Sequence, residues 1–141
     1  MAFSFKIIDK NAVETIIPFI KKLTKNTHTD AVLKSRFKEM VEQNYECAGI
    51  YSGCHIIGIC GMWFQTRHYA GKSVEIDHLY INAEHQGKGL GTLFLKWVNN
   101  YAKTKGCLTS ELNTYVENFP SHKFYYNEGY QIRGYHFLKT L

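Results

Sequence analysis

The chain has 141 residues, of which 45% are apolar and 15% are aromatic. This length and composition predict one compact domain over residues 1–141 with a substantial hydrophobic core, and they leave no room for a second domain. A formal net charge of +5 favours anionic partners such as nucleic acid, phosphate-bearing cofactors or acidic metabolites, without choosing among them.

We expect a cytoplasmic protein with no membrane partner. The sequence contains no apolar run of about 18 residues, which a membrane-spanning helix requires. Residues 1–10 lack the basic and apolar stretches of a secretory signal. The four cysteines show no CxxC pair and no dense spacing, so we expect free thiols and no metal site.

The first half of the chain predicts strands mixed with helices. Asn11 followed by Glu14 predicts an N-cap and its reciprocal partner for a first helix. Pro18 is expected to shorten or bend that helix. The other elements predicted here are a strand at 3–8, a helix at 30–43, and strands at 45–51 and 55–65.

The second half predicts alternating strands and helices. The clearest element is a helix at 89–105, because its apolar residues recur at helical spacing and Gly106 follows it as a C-terminal cap does. Such alternation implies at least one parallel pair of strands in a mixed α/β fold. The remaining predicted elements are a strand at 73–81, a strand at 108–114, a short helix at 121–128 and a last strand at 130–139.

Three glycines lie where the strand at 73–81 leads into the clearest helix. Gly87, Gly89 and Gly91 leave backbone N–H groups uncovered at a helix N-terminus, which is a favourable place for a phosphate group. The P-loop pattern GxxxxGK[ST] is absent. The dinucleotide pattern GxGxxG also fails, because Thr92 stands where its third glycine belongs.

The run Gln86-Gly87-Lys88-Gly89-Leu90-Gly91 resembles the Q/R-x-x-G-x-G/A signature of the GCN5-related N-acetyltransferases, which hold the pyrophosphate of acetyl-coenzyme A with it. Residues 78–81 resemble the strand before that loop. Asn118 and residues 124–130 resemble the family's later N-x-x-A-x-x-F-Y-x-x-x-G-F/Y segment, with Ser121 in place of the commoner alanine. The resemblance covers residues 75–130 and extends before them only in the order of elements.

The resemblance implies a single domain with a mostly antiparallel sheet, a parallel pair splayed around the cofactor, and about four flanking helices. It implies acetyl-CoA as co-substrate, with the acetyl group passing to an amine by direct attack in a ternary complex. Asn118 has an alternative role as a helix N-cap. The cofactor-binding residues implied are Leu79, Tyr80, Ile81, Gln86, Gly87, Lys88, Gly89, Leu90, Gly91, Thr92, Asn118 and Tyr125.

Acetyl transfer requires a neutral amine and a protonated leaving thiolate. A primary amine is mostly protonated at neutral pH, which costs roughly 4.6 kcal/mol. Glu75 and Asp77 share one face of the strand before the loop, and we expect Glu75 as the base and Asp77 as the amine anchor, although a β-bulge would exchange them. His78 is a third option as base, and the resemblance implies Tyr125 as the acid that protonates the thiolate.

The C-terminal part looks similar to acetyltransferases of small amines such as aminoalkylphosphonates, so we expect a small-molecule amine as partner. Arg36, Arg67, His28 and His68 are candidates for binding an acidic amine. The sequence has no RNP-like aromatic motif or basic helix, which argues against nucleic acid. A protein or peptide N-acetyltransferase and a non-catalytic acetyl-CoA-binding protein remain alternatives, and the exposed final strand favours a homodimer.

Overall fold

The computed structural model describes residues 2–141. Its strands form one five-stranded sheet in chain order. The first four strands pair antiparallel, whereas the fifth joins the fourth in parallel. The strands are β1 (Phe3–Ile7), β2 (Tyr45–Ser52), β3 (His55–Arg67), β4 (Gly71–Ile81) and β5 (Thr109–Leu112).

Four α-helices flank the sheet, which confirms the predicted mixed fold with one parallel pair. Short 3-10 helices lie at Lys10–Ile16 and Ala83–His85. Within residues 2–141, none of the helices has the length and apolar run needed to cross a membrane. The α-helices are α1 (Ile17–Leu23), α2 (Asp30–Met40), α3 (Leu90–Thr104) and α4 (Phe119–Asn127).

The core is divided between the two faces of the sheet. On one face α3 packs against the strands through Leu90, Phe94, Val98 and Ala102, whose spacing of four residues places them along one side of the helix. Each large apolar side chain buried there contributes about 1.5–3 kcal/mol. The opposite face is covered by α1, α2 and the first 3-10 helix, with Phe37 in its core.

The parallel pairing between β4 and β5 is short. It runs from Ser73 opposite Thr109 to Ile76 opposite Leu112, whereas β4 continues to Ile81. Beyond Ile76, β4 is therefore no longer paired with β5. The glycine loop, residues 86–91, follows the far end of β4 and leads into α3.

The start of the first helix differs from the prediction. Asp9, and not Asn11, accepts the capping hydrogen bond, which comes from the backbone N–H of Asn11. The chain is a 3-10 helix up to Ile16, and Pro18 lies in the first turn of α1. Proline is well suited to a first turn because the N–H that it lacks has no partner there, so Pro18 is compatible with the start of α1 and does not shorten it.

The predicted last strand at 130–139 is wrong. Residues 131–141, which we call the C-terminal segment, form no strand and are exposed. The apolar alternation of this segment is typical of a strand, but a strand exists only when another one pairs with it. Within the described chain, no strand pairs with the outer edge of β5.

Candidate active site

The backbone of the glycine loop is bare and left-handed at two positions. Gly87 and Gly89 have φ angles of +74° and +75°, which residues with a Cβ rarely adopt. A Cβ built on either residue would meet nothing within 4 Å, so the space above the loop is open. Gly89 is also the N-cap of α3 and has no capping side chain, which leaves first-turn N–H groups available to a ligand.

A hydrogen bond fixes the start of the loop against β4, and Gly91 at its end lies near α4. The Nε2 of Gln86 donates a hydrogen bond of 2.7 Å to the carbonyl of Ile81, the last residue of β4. A Cβ built on Gly91 would lie 3.6 Å from the ring of Phe124 and 3.7 Å from Ile81. A Cβ on Gly91 would therefore make ordinary van der Waals contacts with α4 and β4, whereas one on Gly87 or Gly89 would project into open space.

The other predicted loop residues divide between the core and the surface. Leu90 is buried in the core beneath α3, and only its backbone belongs to the open surface. Lys88 is exposed and supplies a positive charge beside the loop. The hydroxyl of Thr92 lies 3.5 Å from a carboxylate oxygen of Glu128.

Asn118 is the N-cap of α4. Its Oδ1 accepts a hydrogen bond of 3.4 Å from the backbone N–H of Ser121. Asn118 thus has the capping role that the sequence left open as an alternative to cofactor binding. The capping contact uses the Oδ1 atom and positions the helix that carries Tyr125.

Tyr125 packs inside the α3 face of the sheet between two aromatic rings. Its ring centroid lies 5.1 Å from that of Phe124 and 5.6 Å from that of Tyr130. Burial raises the pKa of Tyr125 well above its ordinary value, with smaller contributions from Cys60 and Tyr130. The phenol is therefore protonated at neutral pH and can donate a proton.

Glu75 is held by three donors. Its Oε1 accepts from Nε2 of Gln65 at 2.9 Å and from Nη2 of Arg67 at 3.0 Å, and its Oε2 accepts from Nδ2 of Asn113 at 3.2 Å. Arg67 also donates through Nε to both carboxylate oxygens of Glu111 at 3.0 Å. We call Glu75, Arg67 and Glu111 the Arg67 network; it joins β3, β4 and β5 where β4 and β5 still pair.

Asp77 lies beyond the stretch in which β4 and β5 pair, and its carboxylate accepts fewer hydrogen bonds than that of Glu75. Its Oδ2 accepts a hydrogen bond of 2.8 Å from the indole N–H of Trp63 and lies 3.7 Å from Nδ1 of His78, and 43% of the side chain is exposed. Partial burial acts to raise the pKa of Asp77, but the interaction with His78 and the Trp63 hydrogen bond outweigh it, so the pKa lies below its ordinary value. Asp77 is therefore an anion at neutral pH.

A β-bulge lies where the sequence analysis allowed for one. The register between β3 and β4 shifts between Cys60 and Met62, opposite the stretch from Ile76 to Leu79. Asp77 and His78 are the β4 residues within this irregularity. Behind them, Nε2 of His78 lies 2.7 Å from the hydroxyl of Tyr45.

Several contacts of the site were not predicted from the sequence. Trp63, Tyr45 and Glu111 come from three different strands, and only the register of the sheet brings them to β4. Arg67 was expected as a free cation for an acidic amine, but its guanidinium pairs with two carboxylates. The sequence signal that could have predicted part of these contacts was the hairpin between β3 and β4. Its pairing places the alternate residues of 63–67 beside those of 71–75.

Comparison with known protein families matches residues 14–130 to the model of the Acetyltransferase (GNAT) family. The chain belongs to the GNAT family. It is accordingly an acyltransferase, as the sequence resemblance implied. Its glycine loop, the separation of β4 from β5 and Tyr125 all lie inside the matched region.

Individual relatives agree with this assignment. The GNAT chain is 29% identical over 87 residues to an aminoalkylphosphonate N-acetyltransferase of Salmonella typhimurium, a match that covers 61% of this chain and 56% of that relative. It is 22% identical over 125 residues to an uncharacterised N-acetyltransferase, YhdJ, of Bacillus subtilis, covering 88% of each chain. An aminoglycoside N-acetyltransferase solved with CoA shares the fold, with a TM-score of 0.85, 14% identity, and coverage of 99% and 95%.

Proposed function

We propose that this GNAT chain is an acetyl-CoA-dependent N-acetyltransferase that acetylates a primary amine of a small molecule by direct attack in a ternary complex. The proposal includes a cytoplasmic location and a homodimer, and no nucleic acid or membrane partner. The observation that carries it is the uncapped N-terminus of α3 behind the open backbone of Gly87 and Gly89.

The chain's own residues fit the diphosphate of a CoA molecule. First-turn N–H groups and the helix dipole favour an anion at the start of α3. The φ angles of Gly87 and Gly89 and the open space above them allow close approach of a ligand. Gln86 would orient the loop through its bond to Ile81, Lys88 would add a positive charge, and the backbone of Leu90, Gly91 and Thr92 would complete the site.

The far part of β4 is suited to the extended arm of CoA. Beyond Ile76 the strand has lost β5 as a neighbour, so the edge formed by Leu79, Tyr80 and Ile81 offers backbone hydrogen-bonding groups. An amide-containing chain can pair with such an edge as another strand does. Asn118, at the start of α4, would contribute its side-chain amide. When bound, acetyl-CoA supplies the acetyl thioester.

Protonation of the leaving thiolate and binding of the amine would depend on Tyr125 and the acidic residues of β4. The raised pKa of Tyr125 weakens the phenol as an acid but keeps its proton in place at neutral pH, so the phenol is available to protonate the departing sulfur. Asp77, ionised and partly exposed, is suited to contact the ammonium form of the amine. Glu75 already accepts three hydrogen bonds, so we assign it a structural role in the Arg67 network. Asp77, which lies beside His78, is then the carboxylate that contacts the amine. Asp77 thus keeps the role of amine anchor that we expected from the sequence, whereas Glu75 loses the expected role of base.

The binding step is tested by calorimetry of CoA with a matched pair of glycine variants. Gly89 and Gly106 lie before and after α3, both have positive φ angles, and a Cβ on either meets nothing within 4 Å. Substitution by alanine therefore imposes a similar backbone strain at both sites. Gly89→Ala should weaken CoA binding about tenfold or more, equivalent to about 1.4 kcal/mol, whereas Gly106→Ala should not. The proposal would be refuted if the two variants bind CoA with equal affinity, or if the wild type gives no heat at millimolar CoA.

The chemical step is tested by release of CoA thiol from acetyl-CoA, corrected for hydrolysis, with panels of small amines and of peptides. Turnover with small amines supports the proposed function. Turnover with peptides alone would replace it with protein N-acetylation. Binding of acetyl-CoA without amine-dependent thiol release on either panel would identify a non-catalytic binding protein.

A further inference from the structure

The helix that carries Tyr125 is held by little buried surface. Of the described residues of α4, Phe119–Asn127, none is fully buried. Phe124 is partly buried against the core beneath α3, and a carboxylate oxygen of Glu128 lies 3.5 Å from the hydroxyl of Thr92, at the outer limit of a hydrogen bond. Elements with few buried apolar contacts shift easily. The direction of the Tyr125 phenol therefore depends on whatever else fixes α4.

Tyr130, which follows α4, contacts Tyr125 through both its backbone and its ring. Its N–H donates a hydrogen bond of 3.0 Å to the carbonyl of Tyr125. Gly129 allows the chain to return in this way, because its φ angle of +93° lies in the left-handed region that glycine adopts freely. The two rings meet edge to face, with an angle of 75° between their planes and 5.6 Å between their centroids. A displacement of Tyr130 would therefore displace Tyr125.

The hydroxyl of Tyr130 is bound to two other elements of the fold. It lies 2.5 Å from Oγ of Ser110 in β5, and it accepts a hydrogen bond of 3.3 Å from Nδ2 of Asn99 on α3. Burial raises the pKa of Tyr130 above its ordinary value despite these hydrogen bonds, so the phenol keeps its proton at neutral pH. One side of α3 is buried in the core, and β5 pairs with β4. The hydroxyl therefore joins the weakly buried α4 to a well-packed part of the protein.

We propose that Tyr130 is a positioning residue for the reaction: its hydroxyl, bound to Ser110 and Asn99, holds the ring of Tyr125 where the Tyr125 phenol reaches the departing sulfur. This inference rests on the acid role of Tyr125 in the proposed function. The pattern N-x-x-A-x-x-F-Y-x-x-x-G-F/Y accepts phenylalanine or tyrosine at this position, and phenylalanine would supply the ring alone. In this chain the hydroxyl adds the anchor.

Tyr130→Phe isolates the contribution of the hydroxyl. The variant keeps the ring contact and the backbone hydrogen bond to Tyr125, so α4 should remain folded. It loses the bonds to Ser110 and Asn99, which frees the far end of the ring. Because a displacement of about 1 Å can cost about 10²-fold in rate, we expect kcat to fall about tenfold or more. The affinity for acetyl-CoA should stay within about twofold, since the glycine loop is unchanged.

The first measurement compares kcat, from release of CoA thiol with the amine panel, and acetyl-CoA affinity, from calorimetry. Ser110→Ala removes the same bond from the other side and should lower kcat as Tyr130→Phe does. Tyr101→Phe is the matched control. Tyr101 is half-buried on α3, as Asn99 is, and its hydroxyl donates to Glu46 on β2. This control loses a comparable hydrogen bond and should keep the wild-type kcat.

The double variant Tyr125→Phe/Tyr130→Phe distinguishes positioning from a general loss of structure. If Tyr130 acts through Tyr125, the double variant should match the kcat of Tyr125→Phe within about twofold, because no proton donor is left to position. A kcat reduced by the product of the two single effects would overturn the proposal. Wild-type kcat in Tyr130→Phe, or an equal loss of kcat in Tyr101→Phe, would also overturn it.

The same measurements separate this inference from the proposed function. If Tyr125→Phe lowers kcat and Tyr130→Phe does not, the positioning role is wrong and the acid role of Tyr125 stands. If Tyr125→Phe turns over as fast as the wild type, the acid role fails and the positioning role fails with it. A wild type that releases no thiol with any amine would overturn both the proposed function and this inference.

Discussion

The imidazole of His78 and the phenol of Tyr45 lie 2.7 Å apart in the interior, with only 7% and 3% of the two residues exposed. Burial raises the pKa of Tyr45 well above its ordinary value, with a smaller contribution from Cys47, so the phenol remains protonated and shares a hydrogen bond with Nε2 of His78. Gly61 provides the room for this pair, because a Cβ there would overlap the imidazole ring. The bond ties β2 to the irregular part of β4.

Tyr45→Phe should destabilise the protein by about 1–3 kcal/mol, because it leaves a buried imidazole nitrogen without its partner. Urea unfolding followed by circular dichroism measures the loss. Tyr69→Phe is the matched control, since it removes a hydroxyl from an exposed ring and should change stability by less than about 0.5 kcal/mol. Equal unfolding midpoints for Tyr45→Phe and the wild type would show that the 2.7 Å contact contributes nothing.

The sequence predicted those parts of the fold whose causes are local. α3 and the glycine loop were predicted because helical spacing, a C-terminal glycine and bare backbone are all readable within about twenty residues. The hairpin strands followed from the same kind of signal. Parallel pairing of β4 with β5 was predicted from alternation of elements, and the structure has it.

The sequence predictions that failed concern contacts between residues that are far apart in the sequence. The Arg67 network needs the register of three strands, and no local pattern specifies how β5 aligns with β4. The last strand failed for a similar reason, since the alternation of residues 130–139 indicates burial in a sheet but not which sheet edge accepts it. Asn118 could be placed at a helix start from sequence, but its capping bond could not be distinguished from ligand binding.

Tyr125→Phe should lower kcat by about 10²-fold or more while leaving the affinity for acetyl-CoA within about twofold, because the ring is retained and only the proton donor is lost. Steady-state kinetics and calorimetry measure the two quantities separately. Tyr126→Phe is the control, as that neighbouring ring is 57% exposed and should leave kcat unchanged. A Tyr125→Phe enzyme with wild-type turnover would remove this residue from the mechanism.

We expect Asp77→Asn to impair catalysis and Glu75→Gln to impair stability. Asp77→Asn removes the anion proposed to contact the amine, so we expect kcat/KM for the amine to fall about 10-fold or more with little loss of stability. Glu75→Gln weakens the charge-assisted bonds from Arg67 and should lower the free energy of unfolding by about 1–3 kcal/mol. If Glu75→Gln instead abolishes turnover at full stability, Glu75 is the base and the roles revert to those expected from the sequence.

The stabilising effect of Asp77 should disappear in acid. A carboxyl whose pKa is lower in the folded than in the unfolded state stabilises the fold above its unfolded pKa, and that effect is lost as pH falls through the folded pKa. For Asp77, whose ordinary value is 3.8, the loss should therefore begin near that pH and increase below it. Because 43% of the side chain is exposed, we expect an effect below about 1 kcal/mol.

Urea unfolding of the wild type and Asp77→Asn at about pH 6 and about pH 3 measures this loss. The stability difference between the two proteins should be larger at the higher pH, because the asparagine cannot titrate and the wild type alone loses its ionised contact with Trp63 and His78. A difference that is constant with pH, or that grows in acid, would mean that these two side chains do not hold Asp77 in its ionised form.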